Sequence, residues 1–307
     1  MIFTVTDEFD GKVLREFLRI KCAVSRKTLC KLKTLENGIL LNGNRVTVRA
    51  TVRVGDTVSI AVEDCESDEN PYVKAPGKMP QIVYEDDAVI AVNKPAGMPT
   101  HTSFGHYEDA LSNSVCGYFS GKGIPFVFRA INRLDRDTSG IVLIAKNKYY
   151  SSILSKSLKN GEFEKKYIAL TEGVISDSGK IEGYIAREGE SIIKRRFSAE
   201  ETEGGEYSVT EYKVCSRSKD KSLVFVRPIT GRTHQIRVHL ASIGASIVGD
   251  TMYGKRSELI CRQALHAYSL SFPSPITKER MTVVAPLSSD IKAVADKYCL
   301  DLPMELE

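Results

Sequence analysis

The chain has 307 residues, 42% hydrophobic and 27% charged, with a net charge of +4, the profile of a soluble globular protein with room for one large domain and a small one. No run approaches the roughly 20 apolar residues of a membrane helix, and Met1 to Glu8 lacks the basic start and apolar core of a signal peptide. The seven cysteines are scattered without C-x-x-C spacing, which argues against a disulfide framework or a zinc site and for reduced thiols in the cytoplasm.

The charge is uneven. Residues 1–62 carry eleven Lys and Arg against six acids, which leaves the rest of the chain at −1. A basic module on a near-neutral body suits a polyanionic partner, although a solvated helix face would look the same. Val13, Leu14, Phe17, Leu18, Leu29 and Leu32 recur at helical spacing. Ala23-Val24-Ser25 interrupts the run, and Ser25 can cap a second helix from Arg26. Eight basic residues fall within 12–33, with Glu16 the only acid. Asn42-Gly43 or Gly43-Asn44 between apolar runs predicts a hairpin. Gly55-Asp56 predicts a turn before a strand at 57–60. The pieces Leu41-Asn42-Gly43-Asn44-Arg45-Val46 and Val52-Arg53-Val54-Gly55-Asp56-Thr57-Val58 give the module a resemblance to the RNA-binding domain of the small-subunit ribosomal protein S-four type.

Residues 63–80 are acidic, then rich in Pro and Gly, a linker composition. A second domain, 81–307, opens with two strand-like runs about an acidic turn within 82–92. Asn93-Lys94-Pro95-Ala96-Gly97 follows as a Pro/Gly turn. It is either a tight connection or a place where Lys94 and His101 meet a nucleic-acid backbone. Gly117 to Gly123 hints at a phosphate loop, but the glycine spacing is one residue short and Gly123 stands where a Ser or Thr would hold magnesium.

The densest polar cluster is Arg133-Leu134-Asp135-Arg136-Asp137-Thr138-Ser139-Gly140, wedged between the apolar runs 126–128 and 141–145. A calcium loop is excluded, because its twelfth position is Lys146 rather than Glu. A turn accounts for Thr138-Ser139-Gly140 but poorly for Arg133 and Asp135. The residues alone leave open whether the cluster does chemistry.

Thr230 to Leu240 begins as a turn and continues at helical spacing through Ile236, Leu240 and Ile243. Its Arg, His and Gln residues can grip phosphate or orient a carboxylate. Alternatively they make a polar helix start with His239 packed in the core. His234 and His239, five apart, do not suit a zinc site. No G-x-S-x-G elbow exists for a serine hydrolase. A short helix is predicted from Asp290 to Tyr298.

Together these segments resemble the RluA-type family of pseudouridine synthases, close to its RluD-like members with the extra N-terminal module. Five motifs carry the likeness: Asn93-Lys94-Pro95-Ala96-Gly97; Arg133 to Gly140; Lys165-Lys166-Tyr167-Ile168-Ala169-Leu170; Gly231 to His239; and Gly249-Asp250-Thr251-Met252-Tyr253-Gly254. One departure is Asn132, where the family usually has His.

The resemblance implies an α+β fold: a mixed, largely antiparallel central sheet with flanking helices, plus the small N-terminal module. It implies isomerisation of uridine to pseudouridine in RNA, with no cofactor, no metal and no nucleotide, by a monomer. Large-subunit ribosomal RNA is the favoured target and transfer RNA the second. Asp135, not Asp137, would be the catalytic carboxylate. Tyr167 would stack on the base and act in proton transfer, and Arg237 would pair with Asp135. Arg133 would fill the gap left by a flipped uridine, Ile236 would pack near the uracil, and Lys94 and Arg232 would contact phosphates. Two competing readings are a non-catalytic RNA-binding or ribosome-assembly protein, and a hydrolase that uses Asp137 to activate water and releases free uracil.

Overall fold

The computed structural model describes residues 1–62, 64 and 78–303; the predicted linker at 63–80 lies mostly outside the described residues. The first part is a four-stranded sheet in the order β1 (Ile2–Thr4), β4 (Thr57–Ile60), β2 (Ile39–Leu41), β3 (Asn44–Arg45). Helices α1 (Leu14–Ile20) and α2 (Arg26–Thr34) accompany it. Ser25 caps α2, its hydroxyl accepting from the Thr28 N–H at 3.1 Å. Asn42 and Gly43 have φ of 50° and 80°, the left-handed pair that a two-residue hairpin turn needs. The Asn42 side chain also donates to Asp56 Oδ1 and accepts from the Thr57 N–H, both at 2.8 Å. The Asn-Gly and Gly-Asp pieces of the sequence pattern are therefore two halves of one clasp. Leu14, Phe17, Leu18, Leu29 and Leu32 are buried, while all eight basic residues of 12–33 are exposed.

The second sheet has ten strands. Its order is β10 (Arg195–Ser198), β9 (Ser178–Arg187), β11 (Glu206–Arg217), β12 (Lys221–Pro228), β8 (Glu164–Glu172), β13 (Leu265–Pro273), β7 (Ser139–Ala145), β6 (Val89–Lys94), β5 (Ile82–Glu85), with β14 (Arg280–Val284) paired to β13. Helices α3 (Leu111–Ser120), α4 (Lys148–Lys159), α5 (Gln235–Ser242) and α6 (Ser289–Lys297) complete it. Gly117 lies inside α3, not in a phosphate loop. Every described strand pair is antiparallel except β13 with β7. Each residue of β7 is buried, and its Val, Leu and Ile side chains contribute roughly 1.5–3 kcal/mol apiece. One apolar cluster runs from Val5, Phe17 and Val58 into Ala88, Leu143, Tyr149 and Leu154. The N-terminal sheet is thus docked on the body, with Phe3 edge-on to Tyr149 at 6.0 Å.

The expected turn at Thr138-Ser139-Gly140 is corrected. The turn lies earlier, closed by the Thr138 N–H donating to the Asp135 carbonyl at 3.1 Å, and Ser139 already opens β7. Gly140 has φ of +113°, and a Cβ there would sit 2.2 Å from the Ala267 carbonyl oxygen. The glycine is demanded by the close passage of β7 against β13.

Candidate active site

Asp135 stands at the head of that turn, on a loop clamped from several sides. The Thr100 hydroxyl donates to the Leu134 carbonyl at 3.1 Å and accepts from the Leu134 N–H at 3.3 Å. Asn132 donates to the Ile141 carbonyl and accepts from the Leu143 N–H, both at 2.9 Å. Its amide thus ties the approach of the loop to β7. Arg262 donates to the Asp137 carbonyl at 3.1 Å, while its other nitrogens meet Asp290 at 2.7 and 2.8 Å and the Ser139 and Ser288 hydroxyls. Asp137 pairs with its neighbour Arg136 at 3.1 Å.

Lys94 corrects the expectation of a phosphate contact. It is fully buried, and its ammonium donates to the carbonyls of Pro95, Met98 and Arg136 at 2.9, 2.7 and 2.9 Å. Burial pulls its pKa down to about 7. Three N–H groups meeting three carbonyls bind the 94–98 turn to the loop of Asp135.

The partner of Asp135 comes from α5. This helix is buried from Gln235 to Leu240, so its polar groups need partners inside the protein. Gln235 meets that need completely. Its amide oxygen accepts from Thr230 Oγ1 and the Arg232 N–H, and its nitrogen donates to the Val209 carbonyl and Thr210 Oγ1. His239 is fully buried, with Nε2 2.9 Å from Ser208 Oγ. Arg237 donates through Nε and Nη2 to Asp250, at 2.7 and 2.9 Å, and through Nη1 to Asp135 Oδ2 at 3.2 Å. His234 precedes the helix in the left-handed region, at φ 57° and ψ 16°, a conformation that costs about 1 kcal/mol or more. Its Nε2 lies 3.7 Å from the same Oδ2. Two groups therefore converge on Oδ2, and Oδ1 accepts no hydrogen bond among the described residues.

Tyr167, Ile236 and Leu134 belong to the large buried apolar cluster of this domain. Burial, and then the charge of Asp135, push the Tyr167 phenol well up, so it stays protonated at neutral pH. Arg133 is exposed at the rim. Arg232 lies farther out, donating to Glu206 at 2.7 Å and to the Tyr207 carbonyl at 3.2 Å. Asp135, Tyr167 and Arg237 thus come together, Ile236 is buried next to Arg237 on α5, Arg133 flanks them on the loop, and Lys94 is tied to that loop.

A family model described as RNA pseudouridylate synthase matches residues 88–242, the span from β6 through α5. The chain belongs to the RNA pseudouridylate synthase family. Its activity is isomerisation of uridine to pseudouridine in RNA. An uncharacterized RNA pseudouridine synthase of Bacillus subtilis (strain 168), YjbO, is 34% identical, covering 87% of this chain and 93% of the relative. A protein of Zymomonas mobilis named ribosomal large subunit pseudouridine synthase D is 32% identical over 94% of both chains. The solved structure of human RNA pseudouridylate synthase domain containing 4 superposes with a TM-score of 0.60 at 25% identity, covering 72% of this chain and 94% of that one.

Within this pseudouridine synthase, the sequence pattern offered His234 only as one of several residues able to grip phosphate or orient a carboxylate, and assigned no role to Asp250, Tyr253 or Arg262. Asp250 and Tyr253 stand inside a motif named above, so their position was a usable signal. Arg262 lies in no motif.

Proposed function

We propose that this RNA pseudouridine synthase uses Asp135 as its catalytic carboxylate, on a uridine flipped out of structured RNA, with large-subunit ribosomal RNA as the substrate. The observation that carries this reading is the asymmetry of the carboxylate. Oδ2 is held by Arg237 at 3.2 Å, a guanidinium locked in turn by Asp250, and Oδ1 is left without a hydrogen bond among the described residues. An oriented anion can stabilise positive charge at the anomeric carbon, add to it, or take a sugar proton.

In the reaction the bond from the sugar to uracil nitrogen breaks and the uracil turns in place. A ring carbon then joins the sugar and loses its proton while the freed nitrogen gains one, so the product is an isomer of the uridine. Tyr167, kept neutral, is the ring on which the base stacks and a donor to it, and Ile236 packs beside the uracil. Arg133, exposed at the rim, fills the space the flipped base leaves, because a stacked base is out of reach. Arg232 contacts phosphate.

The ribosomal target is supported by the relatives named ribosomal large subunit pseudouridine synthase D. The N-terminal module acts as an S-four-like RNA grip, supported by eight exposed basic residues, six of them on the adjacent helices α1 and α2 and two beside α1. The enzyme works in the cytoplasm as a monomer.

The test is Asp135→Asn, purified and given a large-subunit ribosomal RNA transcript. Pseudouridine formation is expected to vanish while the RNA still binds. Measurable turnover would falsify the assignment, and release of free uracil by the wild type would favour the hydrolase.

A further inference from the structure

Arg195, Tyr253, His234 and Asp135 form a line of contacts that the reaction above leaves unused. The Arg195 backbone N–H, at the first residue of β10, donates to the Tyr253 hydroxyl at 2.8 Å. That hydroxyl lies 2.9 Å from His234 Nδ1. Because the Tyr253 oxygen already accepts from Arg195, its own proton is available to Nδ1. The network therefore assigns the proton of the neutral imidazole to Nε2, the nitrogen that faces Asp135 Oδ2 at 3.7 Å.

The surroundings keep the ring in that state. Burial lowers the His234 pKa, Arg237 and Arg195 lower it further, and Asp135 and Asp250 pull the other way. The Tyr253 ring is itself fixed, with the Arg237 guanidinium over its face at 5.1 Å and the His234 ring edge-on at 5.7 Å. The left-handed backbone at His234 is the fourth element of the arrangement, aiming the imidazole from the helix start toward the carboxylate.

We propose that His234 is a positioning residue for Asp135, with Tyr253 holding its ring and its tautomer. Its Nε2–H and Arg237 Nη1 grip Oδ2 from two directions, so Oδ1 points in one direction only. The 3.7 Å separation shortens to a hydrogen bond in the substrate complex, where catalytic contacts tighten. This rests on the reading of Asp135 as the catalytic carboxylate.

The test is steady-state kinetics on a ribosomal RNA transcript, run below the unfolding midpoint of each variant. His234→Asn tolerates the left-handed backbone and lacks the distal nitrogen. Tyr253→Phe keeps the ring and removes only the hydroxyl. Each is expected to lower kcat about tenfold, the scale of one hydrogen bond to a charged group, with KM and RNA affinity unchanged. The double variant should be no slower than His234→Asn alone, since both act through one interaction. His234→Gln, whose amide reaches the Nε2 position, should recover most of the loss and be indifferent to Tyr253→Phe. Wild-type kcat in both single variants, losses that multiply in the double, or a loss confined to KM would overturn the proposal. Turnover by Asp135→Asn would instead overturn the reading beneath it.

Discussion

Arg237 gives two of its nitrogens to Asp250 and one to Asp135, so a buried carboxylate aims the guanidinium that aims the exposed one. The Asp250 side chain is wholly buried, whereas that of Asp135 is 30% exposed. Asp250→Asn therefore strips a buried cation of its main counter-ion, a loss of about 3–5 kcal/mol. Urea unfolding of the variant should register it, with turnover falling as well. A variant as stable as wild type would mean that Asp135 alone anchors Arg237.

Gly140→Ala should be among the most damaging substitutions of a single methyl in the chain. The added Cβ would meet backbone atoms of Ala267 from 2.2 Å outward, at a φ that L residues rarely adopt. Overpacking and backbone strain together make a loss of about 3 kcal/mol or more. Soluble protein with an unchanged melting temperature would show that β7 and β13 can move apart.

Asn132→Ala leaves the Leu143 N–H and the Ile141 carbonyl without side-chain partners in a buried place. The expected cost is about 1–3 kcal/mol. Asn132 does not ionise, so the shape of the pH–rate profile should survive the substitution. A changed profile would point to a chemical role at this position.

Acid should destabilise the protein through two buried histidines. Burial lowers His239 and His266 from the ordinary 6.5 to about 4. Between those values the unfolded chain binds protons that the folded chain refuses. The stability contributed by the neutral rings is complete above pH 6.5 and falls away as pH drops toward 4, by at most about 3 kcal/mol per ring. Urea midpoints measured from neutral pH down into this range follow the loss, and His266→Asn should visibly flatten the curve. An unchanged slope in that variant would contradict the assignment to His266.

RNA affinity should respond to charge on α1 and α2. Removing residues 1–62 is a poor probe, because the apolar cluster continues from this module into the body. Arg26→Glu with Lys27→Glu alters only exposed side chains. If both side chains neutralise phosphates, the slope of log affinity against log salt should become shallower by about 1 for each phosphate released. Parallel salt curves for variant and wild type would remove the module from the RNA interface.

The legible parts of this chain are local ones. Ser25, Asn42-Gly43 and the apolar spacing of residues 13–32 each announce an element within a few positions, and the elements form there. Tyr167, and the pairing of Arg237 with Asp135, can be picked out only through a family likeness, because the link from 135 to 237 has no signature in spacing. Lys94 misleads for a related reason. A lysine beside a proline and a glycine looks like surface, and its burial depends on the Arg136 carbonyl, supplied by a distant stretch of chain. The turn after Asp135 is hard to place because Gly140 answers to Ala267 across the sheet rather than to its own neighbours.

The Arg262 bridge has a consequence for the order in which the protein is finished. On the ribosome, the loop of Asp135 emerges well before Asp290, and Arg262 emerges between them. Until α6 follows, Arg262 has the Asp137 carbonyl to meet but no carboxylate, and a guanidinium without its counter-ion does not settle in a buried place. The loop that carries Asp135 therefore gains its last tie only after Asp290 has been made, late in synthesis. A chain cut short before α6 would carry the Asp135 loop without this bridge.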